Sequence, residues 1–203
     1  MSPAVLRRFI FMMAVLTIGM FIFWDVLDSF IDREPGDYHT EVGSNRLVDK
    51  LYDEALEHFD KALEEAPDHR GALMGRALVF MQTDQPVEAI AELDYLIDYL
   101  QRTLEPDDMT GQGALAAAFA NRGIVHDRSG RYQAALEDYA RALSVDEDAV
   151  SGPGVVDKIL YGSDDVSSVR KRAEYLNEQL QLPEDQRLLR VPELDDKQRM
   201  VKP

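Results

Sequence analysis

The sequence predicts an all-α protein: an N-terminal transmembrane helix, then an α-solenoid of three helical pairs closed by a C-terminal capping helix and an extended tail. Residues 9–24 form an apolar run interrupted only by Thr17 and Gly19. Further on, small residues recur in step. Gly43 is matched by Ala77 and Ala55 by Ala89, each 34 residues later, and Gly123 and Ala135 follow those by another 46. Repetition at such a period marks stacked supersecondary units, about three of which are needed to bury a continuous core. Gly152-Pro153-Gly154 then breaks the pattern.

The amino terminus comes first. A bilayer-spanning helix needs about 20 predominantly apolar residues, and the run reaches that length with Ala4, Val5 and Leu6. Val26, Leu27, Phe30 and Ile31 extend it, so residues 9–31 are predicted as anchor and juxtamembrane extension. A secretory signal peptide would end in small residues at its cut. Here the run ends Phe21-Ile22-Phe23-Trp24-Asp25, which favours an uncleaved anchor. Arg7 and Arg8 before the span, against Asp25, Asp28 and Asp32 after it, predict a cytoplasmic N-terminus of residues 1–8. In a bacterial inner membrane this single-pass topology makes the body periplasmic. The linker, residues 32–37, reaches about 20 Å at most, so the body is expected to work beside the membrane.

Composition narrows the function classes. The 203-residue chain has no cysteine, which excludes disulfides, Cys-ligated zinc and thiol nucleophiles. Its net charge is -16, and because Arg7 and Arg8 are the only charges before Asp25, the remainder carries -18. An acidic body repels phosphate backbones, so nucleic acid is not an expected partner. Arg170, Lys171, Arg172, Arg187, Arg190, Lys197, Arg199 and Lys202 leave the last segment roughly balanced.

Residues 38–150 hold the repeats. In the first, Ala55, Phe59 and Ala62 share one helical face and Pro67 ends it, but His39 and Arg46 stand where bulky apolar residues are wanted. Leu73, Phe80, Leu93 and Leu96 fill the second, whose last helix should run to about Leu104 before Pro106. About 12 residues are inserted near 101–113, with residues 105–113 predicted as loop. The third unit runs from about Ala114 to Val145, with Phe119, Gly123 and His126 on its first helix. Its clearest stretch, residues 121–143, places Gly123, Ala135 and Ala142 among Tyr132 and Tyr139 across a turn at Ser129-Gly130. This pattern resembles the tetratricopeptide repeat (TPR), a helical pair that stacks into a binding scaffold.

After the repeats, residues 151–182 are predicted to cap the stack. A short helix is expected over 155–161 and a longer one over about 166–182, with Val169, Ala173, Leu176 and Leu180 as its apolar face. The tail, residues 183–203, should be extended. It is either a disordered terminus or a strap lying along the repeats or on a partner.

No catalytic constellation emerges. His39, His58, His69 and His126 show no metal-like i, i+4 pair, and His126 is expected as a satisfied packing residue. The acidic runs lack the ligand spacing of a calcium loop, and no phosphate-binding glycine motif or Gly-x-Ser-x-Gly is present. Neither cofactor, metal nor small-molecule substrate is expected, and an enzyme is the least expected class. The TPR resemblance implies a concave groove lined by the first helices: Thr40, Ser44 and Leu47; then Met74, Leu78, Met81 and Gln82; then Ala120, Ile124, Asp127 and Arg128. Its middle is apolar and rich in methionine, as suits an adaptable peptide site, unless the chain's own C-terminal segment buries it. Leu78→Glu is expected to abolish partner binding without unfolding the domain. The resemblance thus implies a scaffold for protein partners, membrane proteins or exported polypeptides. It looks like the membrane-anchored TPR assembly or chaperone factors of cytochrome c maturation and of the secretory translocon. The alternative is a permanent accessory subunit of an integral membrane complex.

Overall fold

The computed structural model describes residues 3–29, 34–150, 169–191 and 200. Two units make up the chain, Met1–Glu34 and Pro35–Pro203. In the first, α1 (Pro3–Ser29) is a single helix. Its segment Val5–Trp24 has 20 residues, none buried. At 1.5 Å per residue it rises about 30 Å, which is long enough to cross a bilayer core. Thr17 Oγ1 donates to the Met13 carbonyl at 2.8 Å, so this hydroxyl is satisfied within the helix, as an apolar medium requires.

The second unit is a stack of helical hairpins: α2 (Asp37–Val48) with α3 (Tyr52–Glu65), α4 (Arg70–Gln82) with α5 (Pro86–Thr103), and α6 (Met109–Arg128) with α7 (Tyr132–Val145). Each helix packs on its neighbours in the chain, and α2 also meets α4 as α4 meets α6. The single turn α8 (Glu147–Val150) packs on α6 and α7. Helix α9 (Val169–Gln181) follows and lies on α7, and a 3-10 turn (Glu184–Gln186) begins the tail. The short helix expected over 155–161 and most of the tail beyond Val191 lie outside the described residues.

Close hairpins need small residues where large rings cross. A Cβ added at Gly75 would come 2.3 Å from the Phe59 ring, and one at Gly123 would come 2.7 Å from Tyr139. Both rings are 0% exposed, and burying an aromatic of this size contributes about 2–3 kcal/mol. The hairpin turns repeat as closely as the small residues do: Lys50, Asp84 and Gly130 carry φ of 61°, 56° and 75°. Only the third uses the residue suited to left-handed backbone.

The insertion is mostly helix. Helix α5 has 18 residues and α6 has 20, against 14 for α3 and 13 for α4. The loop predicted over 105–113 is therefore corrected, because α6 already begins at Met109. Asp108 caps it by accepting the Gly111 N–H at 2.7 Å, and Arg70 holds the same carboxylate at 2.7 Å. These two bonds keep the Asp108 carboxyl below its usual range, the backbone N–H foremost. Leu104 packs over Gly111. The added turn brings Ala114, Leu115 and Ala116 into the main core.

Candidate functional site

The first helices α2, α4 and α6 lie side by side and hold the eleven predicted groove residues. Most turn out to face other parts of the chain. Met74, Leu78, Met81, Ala120, Ile124 and Asp127 are buried, Thr40 and Leu47 half-buried, and only Ser44, Gln82 and Arg128 exposed. Met74 Sδ accepts from Asn121 Nδ2 at 3.4 Å, tying α4 to α6. Leu47 packs against the main core. Leu78 is 4% exposed, so a charge placed there would be buried without a partner. Leu78→Glu would then unfold the stack and cannot serve as a clean binding variant.

Asp127 shows what closes the third-unit end. Its carboxylate takes a two-pronged pair from Arg172 of α9, Nε at 2.7 Å and Nη2 at 2.8 Å, and accepts the Tyr139 hydroxyl at 3.2 Å. The side chains are 5% and 3% exposed. Arg172 stands at the i+3 position of the stripe Val169, Ala173, Leu176, all buried. A charge on an apolar stripe is expensive unless paired, so Arg172 within its stripe and Asp127 among apolar groove positions were the available signal. Sequence reading used neither.

The same guanidinium reaches the tail. Arg172 Nη2 donates to the Leu189 carbonyl at 3.1 Å, Tyr175 Oη donates to the Leu188 carbonyl, and Gln179 Oε1 accepts the Leu188 N–H at 2.7 Å. Arg190 Nη2 then donates to the Arg128 carbonyl at 2.8 Å, at the last residue of α6. Leu189 and Met200 pack against the main core. Residues 187–191 have no regular secondary structure, and Arg187 is extended. A strap along the third unit is thus what the described part of the tail forms.

Between the α4–α5 turn and the end of α6 lies an open cleft of about 240 Å³, lined by Phe80, Met81, Asp84, Gln85, Pro86, Val125, Arg128 and Ser129. It shares Met81 and Arg128 with the predicted groove.

Two histidine clusters lie among α2, α3 and the start of α4. His39 and His58 face each other Nδ1 to Nδ1 at 3.1 Å, and Arg46 pairs with Glu54 at 3.2 Å. The two poorly matching positions of α2 are thereby filled by polar contacts with α3. His69 Nε2 lies 2.9 Å from Asp37 Oδ1, and its Nδ1 lies 3.3 Å from Thr40 Oγ1. The set looks like a hydroxyl-imidazole-carboxylate relay. Nδ1, however, also accepts the Ala72 N–H at 3.2 Å, so its lone pair caps α4 and is not free to act as a base.

His126 differs from expectation. It is packed, but its Nδ1 makes no hydrogen bond, and burial, then repulsion by Arg131, pushes its pKa down. Its neighbour Arg122 bonds Asp138 at 2.8 and 2.6 Å and Asp94 at 2.6 Å. The Asp138 bonds raise the Arg122 pKa further above its usual range. Among the described residues no group of three or more histidine, aspartate or glutamate side chains could hold a metal ion.

What the arrangement can do is hold polypeptide, through side chains that bind backbone and a stack that presents them. Residues 49–103 and 116–149 each match models of the tetratricopeptide repeat. The chain carries TPR units, and its fold is an all-α TPR-type stack preceded by an apolar helix. Helix α2 lies outside both matches, as its polar substitutions lead one to expect. No curated protein matches the chain.

Proposed function

We propose that this chain is a membrane-anchored TPR scaffold that binds protein partners beside the membrane and acts as an assembly or chaperone factor for membrane or exported proteins. The observation that carries the reading is the pairing, in one chain, of an exposed apolar helix of spanning length, Val5–Trp24, with repeats whose general role is to bind protein. Arg7 and Arg8 before the span favour a cytoplasmic N-terminus and a periplasmic stack at a bacterial inner membrane. The anchor stays uncleaved in this reading, and the groove residues that a partner reaches first are Ser44, Gln82 and Arg128.

Burial of Met74, Leu78 and Ile124 favours a second reading. An inner face already filled offers little apolar surface to unfolded clients, which suits a permanent accessory subunit of an integral membrane complex. Gentle solubilisation of the tagged chain separates the two. A heterogeneous set of exported polypeptides supports the assembly factor, and one stoichiometric membrane complex supports the subunit. Recovery of the chain alone, after crosslinking in intact membranes, overturns both.

A further inference from the structure

The strap is held in a way that treats it as a bound peptide. Three of its backbone groups are taken by side chains of one helix: the Leu188 carbonyl by Tyr175, the Leu188 N–H by Gln179 and the Leu189 carbonyl by Arg172. Contacts of this kind read an extended backbone whatever its sequence, as in other peptide-recognition surfaces. Two side chains supply selectivity. Leu189 packs on the core, and the Arg190 guanidinium sits on the Arg128 carbonyl at the C-terminal end of α6, where the helix dipole favours a cation.

Arg172, the centre of the seat, is positioned by contacts other than those to the strap. Arg172 is fixed by its double bond to Asp127, and its guanidinium lies over the Tyr175 ring at 5.5 Å. Meanwhile the strap is shallow: Leu188 is 61% exposed, and the bonds to Tyr175, Gln179 and Arg128 are all at exposed positions. Segments with few buried contacts and solvent-exposed hydrogen bonds are the ones that open at low cost. A seat whose centre is already positioned, under a loosely held occupant, is the arrangement in which one peptide replaces another.

We propose that the seat formed by Arg172, Tyr175 and Gln179 of α9 and the C-terminal end of α6 is a peptide-recognition site for a partner polypeptide, which enters as an extended segment with adjacent apolar and basic side chains and displaces residues 187–190. A basic segment also suits a chain whose net charge is -16. This rests on the protein-binding reading above and names the chemistry of the partner.

The test uses the full chain in detergent micelles and a fluorescein-labelled peptide with the sequence of residues 184–191, followed by polarisation. In the wild type the strap competes. With Leu189→Glu and Arg190→Glu the seat is vacated, and the peptide is expected to bind at least about tenfold more tightly. Adding Tyr175→Phe and Gln179→Ala to that background should weaken binding severalfold at unchanged helicity and melting temperature. A peptide carrying the same two glutamates should bind neither protein. Absence of saturable binding to a well-folded vacated chain, or equal binding of the glutamate peptide, overturns the proposal. Should the double variant lose helicity, Leu188→Cys in the otherwise cysteine-free chain carries an environment-sensitive dye, and unlabelled peptide must change its emission. An unchanged signal at saturating peptide overturns the proposal equally. If partners crosslink in membranes as well to the Tyr175→Phe, Gln179→Ala chain as to the wild type while the peptide fails, the seat is wrong and the scaffold reading stands. If the peptide binds and no partner is ever captured, the scaffold reading is what fails.

Discussion

Replacing Arg172 with methionine removes one half of a charge pair whose side chains are 5% and 3% exposed. Asp127 would lose both guanidinium bonds and keep the Tyr139 hydroxyl. Breaking a buried pair by deleting one partner costs about 3–5 kcal/mol, because the remaining charge is stranded. For a unit of this size, a loss of about 3 kcal/mol lowers the melting temperature by roughly 6–12 °C. Asp127→Leu should cost a similar amount by taking the counter-charge from a buried guanidinium. The two together should cost far less than their sum, about 1–2 kcal/mol, since apolar side chains of similar volume can replace an ion pair, and what remains is the loss of partners at the Tyr139 hydroxyl and the Leu189 carbonyl. The assay is urea and thermal unfolding of the full chain in detergent, followed by far-ultraviolet circular dichroism, for the wild type, both single variants and the double. Singles costing under about 1 kcal/mol, or a double equal to their sum, would refute the idea that this pair docks α9 on the third unit.

Other perturbations probe separate parts of the stack. Lys50→Gly and Asp84→Gly, at left-handed turn positions, should each raise stability by about 0.5–1 kcal/mol, and Gly130→Ala should lower it by about 1 kcal/mol, all read by urea unfolding. Gly75→Ala drives a methyl to 2.3 Å from the Phe59 ring and should cost about 1–3 kcal/mol by overpacking, visible as a lower urea midpoint. His126 has its pKa pushed down by burial, so the unfolded chain binds that proton more readily than the folded one. Its contribution therefore makes stability fall as pH drops below about 6.5, the unfolded value, until the lower folded value is passed. His126→Phe should flatten that part of the stability-pH curve, and an unaltered slope would assign it to other groups.

The scaffold was readable from sequence because it rests on local rules repeated in each unit: small residues at matching positions, apolar faces at helical spacing and turns at one position. Even the end of α5 near Leu104 could be placed, since Pro106 cannot continue a helix. The start of α6 was less legible. Residues 105–113 hold a proline, two glycines and two aspartates, the composition of a loop, and only the paired action of Arg70 and Gly111 on Asp108 shows that Asp108 caps a helix. Which residues lie on the first helices was legible, but not which of them meet solvent. Periodicity says which residues share a face, yet whether a face meets solvent depends on distant segments, here Arg172 lying 45 residues beyond Asp127. A local pattern cannot carry that information, though an unmatched charge can hint at it. Asp127 among apolar groove positions and Arg172 within an apolar stripe are each costly alone and cheap together. Pairing such anomalies across a stack predicts a docking contact before any coordinates exist. For the tail, the sequence left a strap and a disordered terminus side by side, because Leu188 is held through its backbone N–H and carbonyl, groups that nearly every residue possesses.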